Sequence, residues 1–297
     1  MKLLMVFNPH AAGRRAARLL PHVREALARF GELDMIQTRG PGDALTRVAE
    51  ADLSRYDGLV AAGGDGTVFE VLNGLYARPR EARRPLGVVP VGTGNAFARD
   101  LGLQPGDWQK GVDIVQRGQA RHMDVGRVDM DGGEAPFHFL NIVGAGLPVD
   151  AMRMAGKLKF VGRSAYTLAA LWRAMMLRTY PLAVDIDGER VEEDALFIEI
   201  SNTRYTGTSF LMAPLARADD GLLDVTLVRR MPRGRLLRLF PTIYEGRHVA
   251  FDEVFTCRAR TIRIARPAGL TLAPDGELQG YTPATVTCLH HDLDVFT

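Results

Sequence analysis

Three times in its first hundred residues the chain runs an apolar stretch straight into a turn of glycines and small residues: "LLMVFNPHAAG" (3–13), "LVAAGGDGTVFE" (59–70) and "LGVVPVGTGNAF" (86–97). Strands apolar without alternation are buried on both faces, as in a parallel sheet covered by helices. In such a sheet ligands bind beyond the carboxyl ends of the strands, where the chain turns into a helix. This pattern narrows the first part of the chain to an α/β architecture with a binding crevice.

The spacing predicts strands over 2–7, 33–38, 57–63 and 86–92, alternating with helices that run to about Phe30 and over 42–53 and 107–118. From about Ala120 the texture changes to short strand-like segments such as "LAVDIDG", "LFIEISN" and "LLDVTLV", punctuated by Asp131-Gly132, Asp187-Gly188 and Asp275-Gly276. Helical stretches interrupt them near 147–178 and 233–245. The expected organisation is an α/β domain over 1–120 and a mostly antiparallel β domain over 121–297, whose final strand is able to return to the first domain.

Composition removes several alternatives. A hydrophobic share of 46% with 24% charged residues is that of a globular protein rather than a disordered one. The most apolar run, Tyr166 to Leu177, is interrupted by Arg173 and falls short of the ~20 residues of a membrane span. The first residues read as a strand rather than a signal peptide, so a cytoplasmic protein is expected. Cys257 and Cys288 lie far apart with no Cys-x-x-Cys spacing, which argues against a disulfide. A net charge of +2 gives no case for nucleic acid as a partner.

Glycines let a backbone approach a ligand, and the helix after each turn offers unpaired N–H groups to phosphate. There is no G-x-x-x-x-G-K-[ST], and "GTGNAF" lacks the third glycine of the dinucleotide fingerprint. Asp65, set between Gly64 and Gly66, would repel bare phosphate; it suits a site where a divalent cation and its waters stand between them. The alternative is a carboxylate that caps the following helix near Val68.

"NPHAAGR", "GGDGTVFEVLNGL", "PVGTGNAFARDLGL", "NIVGAGLPVDA", "APLARADDGLLDV" and "PDGE" stand in the order and spacing of the diacylglycerol kinase catalytic-domain family, which the chain resembles over nearly its whole length. The Gly-Gly-Asp-Gly-Thr core is shared more widely, with NAD kinases and phosphofructokinases. The resemblance implies an α/β nucleotide-binding domain plus a β-sandwich domain with the active site between them, and ATP and Mg²⁺ as cofactors. It implies an ATP site lined by Asn8, Pro9, Ala11, Ala12 and Thr38, with Gly63, Gly64, Asp65, Gly66, Thr67 and Glu70 around the phosphates and Thr93 and Asn95 completing the pocket. Asp65 would organise Mg²⁺. Asp220, helped by the Arg217 and Leu222 carbonyls, resembles the ligand of a structural divalent cation. The catalytic base resembles the turn Asp275-Gly276-Glu277, with Asp275 favoured and Glu277 beside it; the reverse assignment stays open.

The chain departs from the family at Ala11-Ala12, where members often carry Ser-Gly, and at Ala96, where many bacterial members carry Asp. Pro148 and Val149 also differ, near the expected acceptor side. The implied function is phosphoryl transfer from ATP to a lipid hydroxyl, with diacylglycerol leading and phosphatidylglycerol or a sphingoid base as other acceptors. An NAD kinase-type enzyme and a catalytically silent lipid- or nucleotide-binding protein are the rival readings.

A lipid kinase has to reach a bilayer. The segments 156–180 and 229–240 join arginines and lysines to apolar residues, a combination that can lie on the inner face of an anionic membrane or form a core helix with basic flanks. The implied partners are ATP and a lipid at a membrane surface, with a homodimer as an option. The tail "CLHHDLD" holds Cys288, His290 and His291, read as residues on or after the last strand rather than as metal ligands.

Overall fold

The computed structural model describes residues 1–13, 15–157, 178–207 and 209–297. In chain order the strands and helices are β1 (Lys2–Phe7), α1 (Arg15–Ala28), β2 (Glu32–Gln37), α2 (Asp43–Glu50), β3 (Gly58–Gly63), α3 (Asp65–Tyr76), β4 (Leu86–Pro90), α4 (Ala96–Asp100), α5 (Trp108–Arg117) and β5 (Ala120–Met130). They continue with β6 (Phe137–Phe139), β7 (Ile142–Gly146), α6 (Leu147–Lys157), β8 (Tyr180–Ile186), β9 (Glu189–Ser201), β10 (Tyr205–Thr206), β11 (Phe210–Leu211), β12 (Leu223–Arg229), the helix Arg233–Thr242, β13 (Val254–Ala259), β14 (Thr261–Arg266), β15 (Leu272–Pro274) and β16 (Ala284–Phe296). The expected helical stretch 147–178 is thus described only to Lys157, and most of the basic-apolar segment 156–180 lies outside the described residues.

The chain divides into two compact units, one of residues 1–125 with 290–297 and one of residues 126–289. The first unit is a parallel sheet in the order β4-β3-β1-β2. β3 and β4 are buried along their whole length, as their unbroken apolar sequences require. The end of β16 joins this sheet, Val295 pairing in parallel with Leu86. Phe296 belongs to the core with Leu3, Met5, Phe7, Val60 and Val89. Its ring fills a notch over two glycines: a Cβ on Gly58 would stand 2.6 Å from it and one on Gly87 3.2 Å.

Two boundaries moved for identifiable reasons. The helix expected over 42–53 ends at Glu50, because Asp52 accepts the Ser54 N–H at 3.1 Å and starts a separate 3-10 turn over Leu53–Arg55. The strand expected over 33–38 is β2, Glu32–Gln37; Thr38 lies just past its end and still donates its N–H to Phe7 O at 2.9 Å.

Among the described residues the strand pairs within the second unit are antiparallel. β7 lies between β15 and β9, β9 also pairs with β8 and β12, and β12 pairs with β13. The helix Arg233–Thr242 buries Leu236 and Leu239 against Phe197, Phe210, Met212 and Val228, while Leu237 on its other face is 43% exposed. One row of this helix is core and the other faces out, so its arginines flank a packed helix. Among the described residues no helix is long and apolar enough to cross a membrane.

Candidate functional site

In the first unit β2 lies on one side of β1 and β3 on the other, so the order of connection reverses between β1 and β3. That reversal opens a crevice at the carboxyl ends of those strands. The residues at the crevice are those of the first two glycine turns. Asn8, at the end of β1, donates from its side chain to Thr67 Oγ1 at 3.1 Å, tying the Asn-Pro turn to α3. Its side-chain Oδ1 accepts the His10 N–H at 2.9 Å, and its backbone oxygen accepts the Ala11 N–H at 3.3 Å.

The third turn is drawn to the second. Gly63 O accepts the N–H groups of Val91 and Gly92 at 3.1 and 2.9 Å. A Cβ on Gly92 would lie 2.3 Å from Gly64 Cα, so only two glycines allow these backbones to meet. Asn95, buried and left-handed at φ 55°, donates to Gly92 O at 2.9 Å; Thr93 is exposed. Asp65 closes the arrangement. It is the first residue of α3, yet its carboxylate accepts the Ala96 N–H at 2.7 Å, at the start of α4. It caps not its own helix but the one after the neighbouring turn. Burial raises this carboxyl to about 6, opposed by the N–H groups of Ala96, Asn95 and Phe97. Glu70 also acts at a distance, receiving Gly42 N–H at 2.7 Å and Ala44 N–H at 3.0 Å at the start of α2. Both Glu70 oxygens are thereby spent on positioning α2 beside the crevice.

The fit to a nucleotide is favourable here: a bare-backbone cradle at a switch point, with α3 beginning at the turn, accommodates phosphate. Ala12 sits at φ 50°, where an L-residue with a side chain is disfavoured by about 1–2 kcal/mol. This is one of the two positions where family members often carry Ser-Gly. Ala12→Gly removes that strain but loosens the unfolded chain by about 0.4–1 kcal/mol. The expected net gain is about 0.5–1 kcal/mol, read as a higher denaturant midpoint at unchanged slope.

In the second unit, Pro274 to Glu277 forms a tight turn at the end of β15. Asp275 at φ 45° and Gly276 at φ 88° are the two left-handed residues that an Asp-Gly hairpin turn requires, and Glu277 N–H closes it onto Pro274 O at 2.7 Å. The Asp275 side chain is buried and turned inward. Its oxygens accept the N–H groups of Leu140 at 2.9 Å, Asn141 at 2.8 Å and Ile142 at 3.1 Å. A buried brace secures the same loop: Thr203 Oγ1 donates to Asn141 Oδ1 at 3.0 Å, and the Asn202 side chain to Leu140 O at 2.9 Å. Glu277, by contrast, is exposed.

Asp220 accepts the Leu222 N–H at 3.2 Å and is paired with Arg258. Arg217 reaches Asp219 at 3.3 Å rather than Asp220. Asp224 lies beside Asp220, its Oδ2 buried without a hydrogen-bond partner and its carboxyl raised by burial to about 6. Two adjacent acids are a donor set that suits a divalent cation, and Arg258 is paired with both, its Nε 3.8 Å from Asp224 Oδ2.

Two features escaped the sequence reading. Glu199 lines an apolar cavity with Leu147, Phe197, Phe210, Leu239 and Phe240. It is 2% exposed, its Oε2 has no partner, and burial pushes its carboxyl up to about 8. The sequence signal was a lone acid inside the unbroken strand "LFIEIS". In register, Gly144 of β7 stands opposite Glu199 on one side and Ala273 of β15 on the other, so the cavity and the Asp275 turn share adjoining strands. The second is Asp124, buried on β5 with its Oδ1 2.8 Å from His290 Nδ1.

Comparison with known proteins agrees with this geometry. Residues 2–128 match the diacylglycerol kinase catalytic domain, and residues 141–297 match the YegS C-terminal NAD kinase beta sandwich-like domain. A protein of Mycobacterium tuberculosis named diacylglycerol kinase is 33% identical over 99% of this chain and 94% of its own length. A Bacillus subtilis protein of the same name is 30% identical over 98% and 94%. A crystal structure of a diacylglycerol kinase from Bacillus anthracis superposes with a TM-score of 0.79 at 26% identity, covering 99% of this chain and 96% of that one. The parallel α/β first unit, the β-sandwich-like second unit and these matches together make the chain a member of the diacylglycerol kinase catalytic-domain family of lipid kinases.

Proposed function

We propose that this protein transfers the γ-phosphoryl group of ATP to the hydroxyl of diacylglycerol, with Mg²⁺. The observation that carries the reading is the division of labour in the Asp275-Gly276-Glu277 turn, where one carboxylate is locked by three backbone N–H groups and the other is presented to solvent.

ATP supplies the phosphoryl group, and Mg²⁺ neutralises charge that develops as it moves. Asn8, Thr67 and the Gly63–Gly66 backbone would hold the phosphates, and Asp65 would orient the cation and its waters. Glu277 would accept the proton of the lipid hydroxyl as its oxygen bonds to phosphorus and the bond to the ADP oxygen breaks. Asp275 is a positioning residue: it fixes the turn that presents Glu277. The apolar cavity beside Glu199 supports an acceptor with hydrocarbon chains. The partly exposed arginine-flanked helix Arg233–Thr242 supports peripheral contact with an anionic bilayer at the cytoplasmic face.

The test is transfer of labelled γ-phosphate from ATP with Mg²⁺ to a total lipid extract in vesicles, wild type beside Asp65→Ala. The expected product is labelled phosphatidic acid, reduced at least tenfold in the variant. A different labelled lipid, such as a phosphorylated phosphatidylglycerol or sphingoid base, would replace diacylglycerol as the acceptor. Labelled NADP in a parallel reaction with NAD, and no labelled lipid, would sink the lipid reading.

A further inference from the structure

Outside the nucleotide crevice and the Asp275 turn, the first unit gathers a second group of metal-ligating side chains. One donor atom each from Asp124 on β5 and His290 and His291 on β16 lie within 4.8 Å of one another. Asp124 is fully buried. Its Oδ1 meets His290 Nδ1 at 2.8 Å and accepts the His291 N–H at 2.8 Å. The His290 side chain is 43% exposed, so the group opens to solvent on that side.

The backbone makes this grouping. Consecutive side chains on a strand point to opposite faces, so His290 and His291 would ordinarily be parted. His291 instead adopts φ 51°, and the two rings stack with centroids 3.7 Å apart. A third imidazole, His122, stacks on His291 at 5.8 Å and is held by Asp294 at 2.6 Å from its Nδ1. An ordinary Asp–His pair needs one histidine and no left-handed residue. Cys288, two residues before His290, has no part in the group.

We propose that Asp124, His290 and His291 form a binding site for a borderline divalent transition metal of the zinc class. Imidazole nitrogens with one carboxylate are the donor set that such ions prefer, and one that Mg²⁺ does not. The site would staple the β16 segment to β5 within the first unit, and it is independent of the phosphoryl-transfer reading.

The experiment uses the full chain stripped by a chelator and titrated with Zn²⁺ in a calorimeter, and with Co²⁺ for its visible spectrum. One equivalent of Zn²⁺ is expected, undisturbed by excess Mg²⁺, together with a Co²⁺ spectrum of low-symmetry, nitrogen-containing coordination. His290→Gln, His291→Gln and Asp124→Asn should each weaken binding roughly tenfold or more. No Zn²⁺ uptake by the wild type, a fully hydrated Co²⁺ spectrum, displacement by Mg²⁺, or wild-type affinity in folded His290→Gln and His291→Gln would each overturn the proposal. The wild-type titration and spectrum decide the matter even where the buried Asp124 variant fails to fold.

Discussion

Glu277→Gln should lower kcat toward a lipid acceptor by about 10²–10⁴-fold, the usual contribution of a positioned general base. The side chain is exposed, so the melting temperature should change much less than on substitution of the buried Asp275. Asp275→Asn should behave differently. It sets an amide, half of which is itself a donor, against the three N–H groups of Leu140, Asn141 and Ile142. Leaving such buried donors unmatched costs about 1–3 kcal/mol each, so this variant should melt markedly lower and lose activity as its turn loosens. Measuring kcat and melting temperature on both variants separates the roles. Full activity in Glu277→Gln, with a stable but dead Asp275→Asn, would return the base to Asp275.

The second large effect is on stability against pH, through Glu199. An ordinary glutamate titrates near 4.5, whereas burial holds this one protonated up to about 8. Below pH 4.5 both folded and unfolded chains keep the proton and the group contributes no slope. Between 4.5 and 8 the unfolded chain releases it while the folded chain does not, so stability falls as pH rises by about 1.4 kcal/mol per unit. Asp65 and Asp224, each raised to about 6, add slopes of the same sign only below that pH. His248, lowered from 6.5 by burial, acts with opposite sign and also below that range. From pH 6.5 to 8 the wild type should therefore lose about 2 kcal/mol that Glu199→Gln retains. Urea unfolding of both proteins at the two pH values measures it, and parallel curves would refute a buried, protonated Glu199.

The parallel strands were legible because burial on both faces writes them as unbroken apolar runs, and their glycine turns marked where a ligand would sit. The antiparallel second unit was legible from its turn residues. Individual roles were less so, because they depend on distant partners. Asp65 reads from the sequence as a residue of a cation site or, alternatively, as a cap for its own helix, but the close approach of Gly64 and Gly92 hands its carboxylate to the helix after the next turn. Glu70 stands in the phosphate motif, yet its oxygens bond to Gly42 and Ala44 across the α2–α3 packing. Nothing local distinguishes Asp275 from Glu277; the distinction comes from Leu140 and Asn141, ahead of β7, and Ile142, its first residue, which supply the amides. Asp124 and His290 meet only because β5 and β16 pair, more than 160 residues apart in the chain.

The seating of Phe296 over Gly58 and Gly87 governs the order in which the molecule can be finished during its own synthesis. Residues 1–125 leave the ribosome before the second unit, but their core awaits a ring that emerges only after it. At about 5–20 residues per second, the intervening residues 126–289 occupy roughly ten to thirty seconds of translation. Through that interval the outer side of β4 is an unpaired edge, the kind of template on which nascent chains stick to one another. A chain that stopped between Leu289 and Phe296 would therefore carry a whole second unit and an unfinished parallel sheet, a product that proteases and chaperones can tell from one that includes the ring.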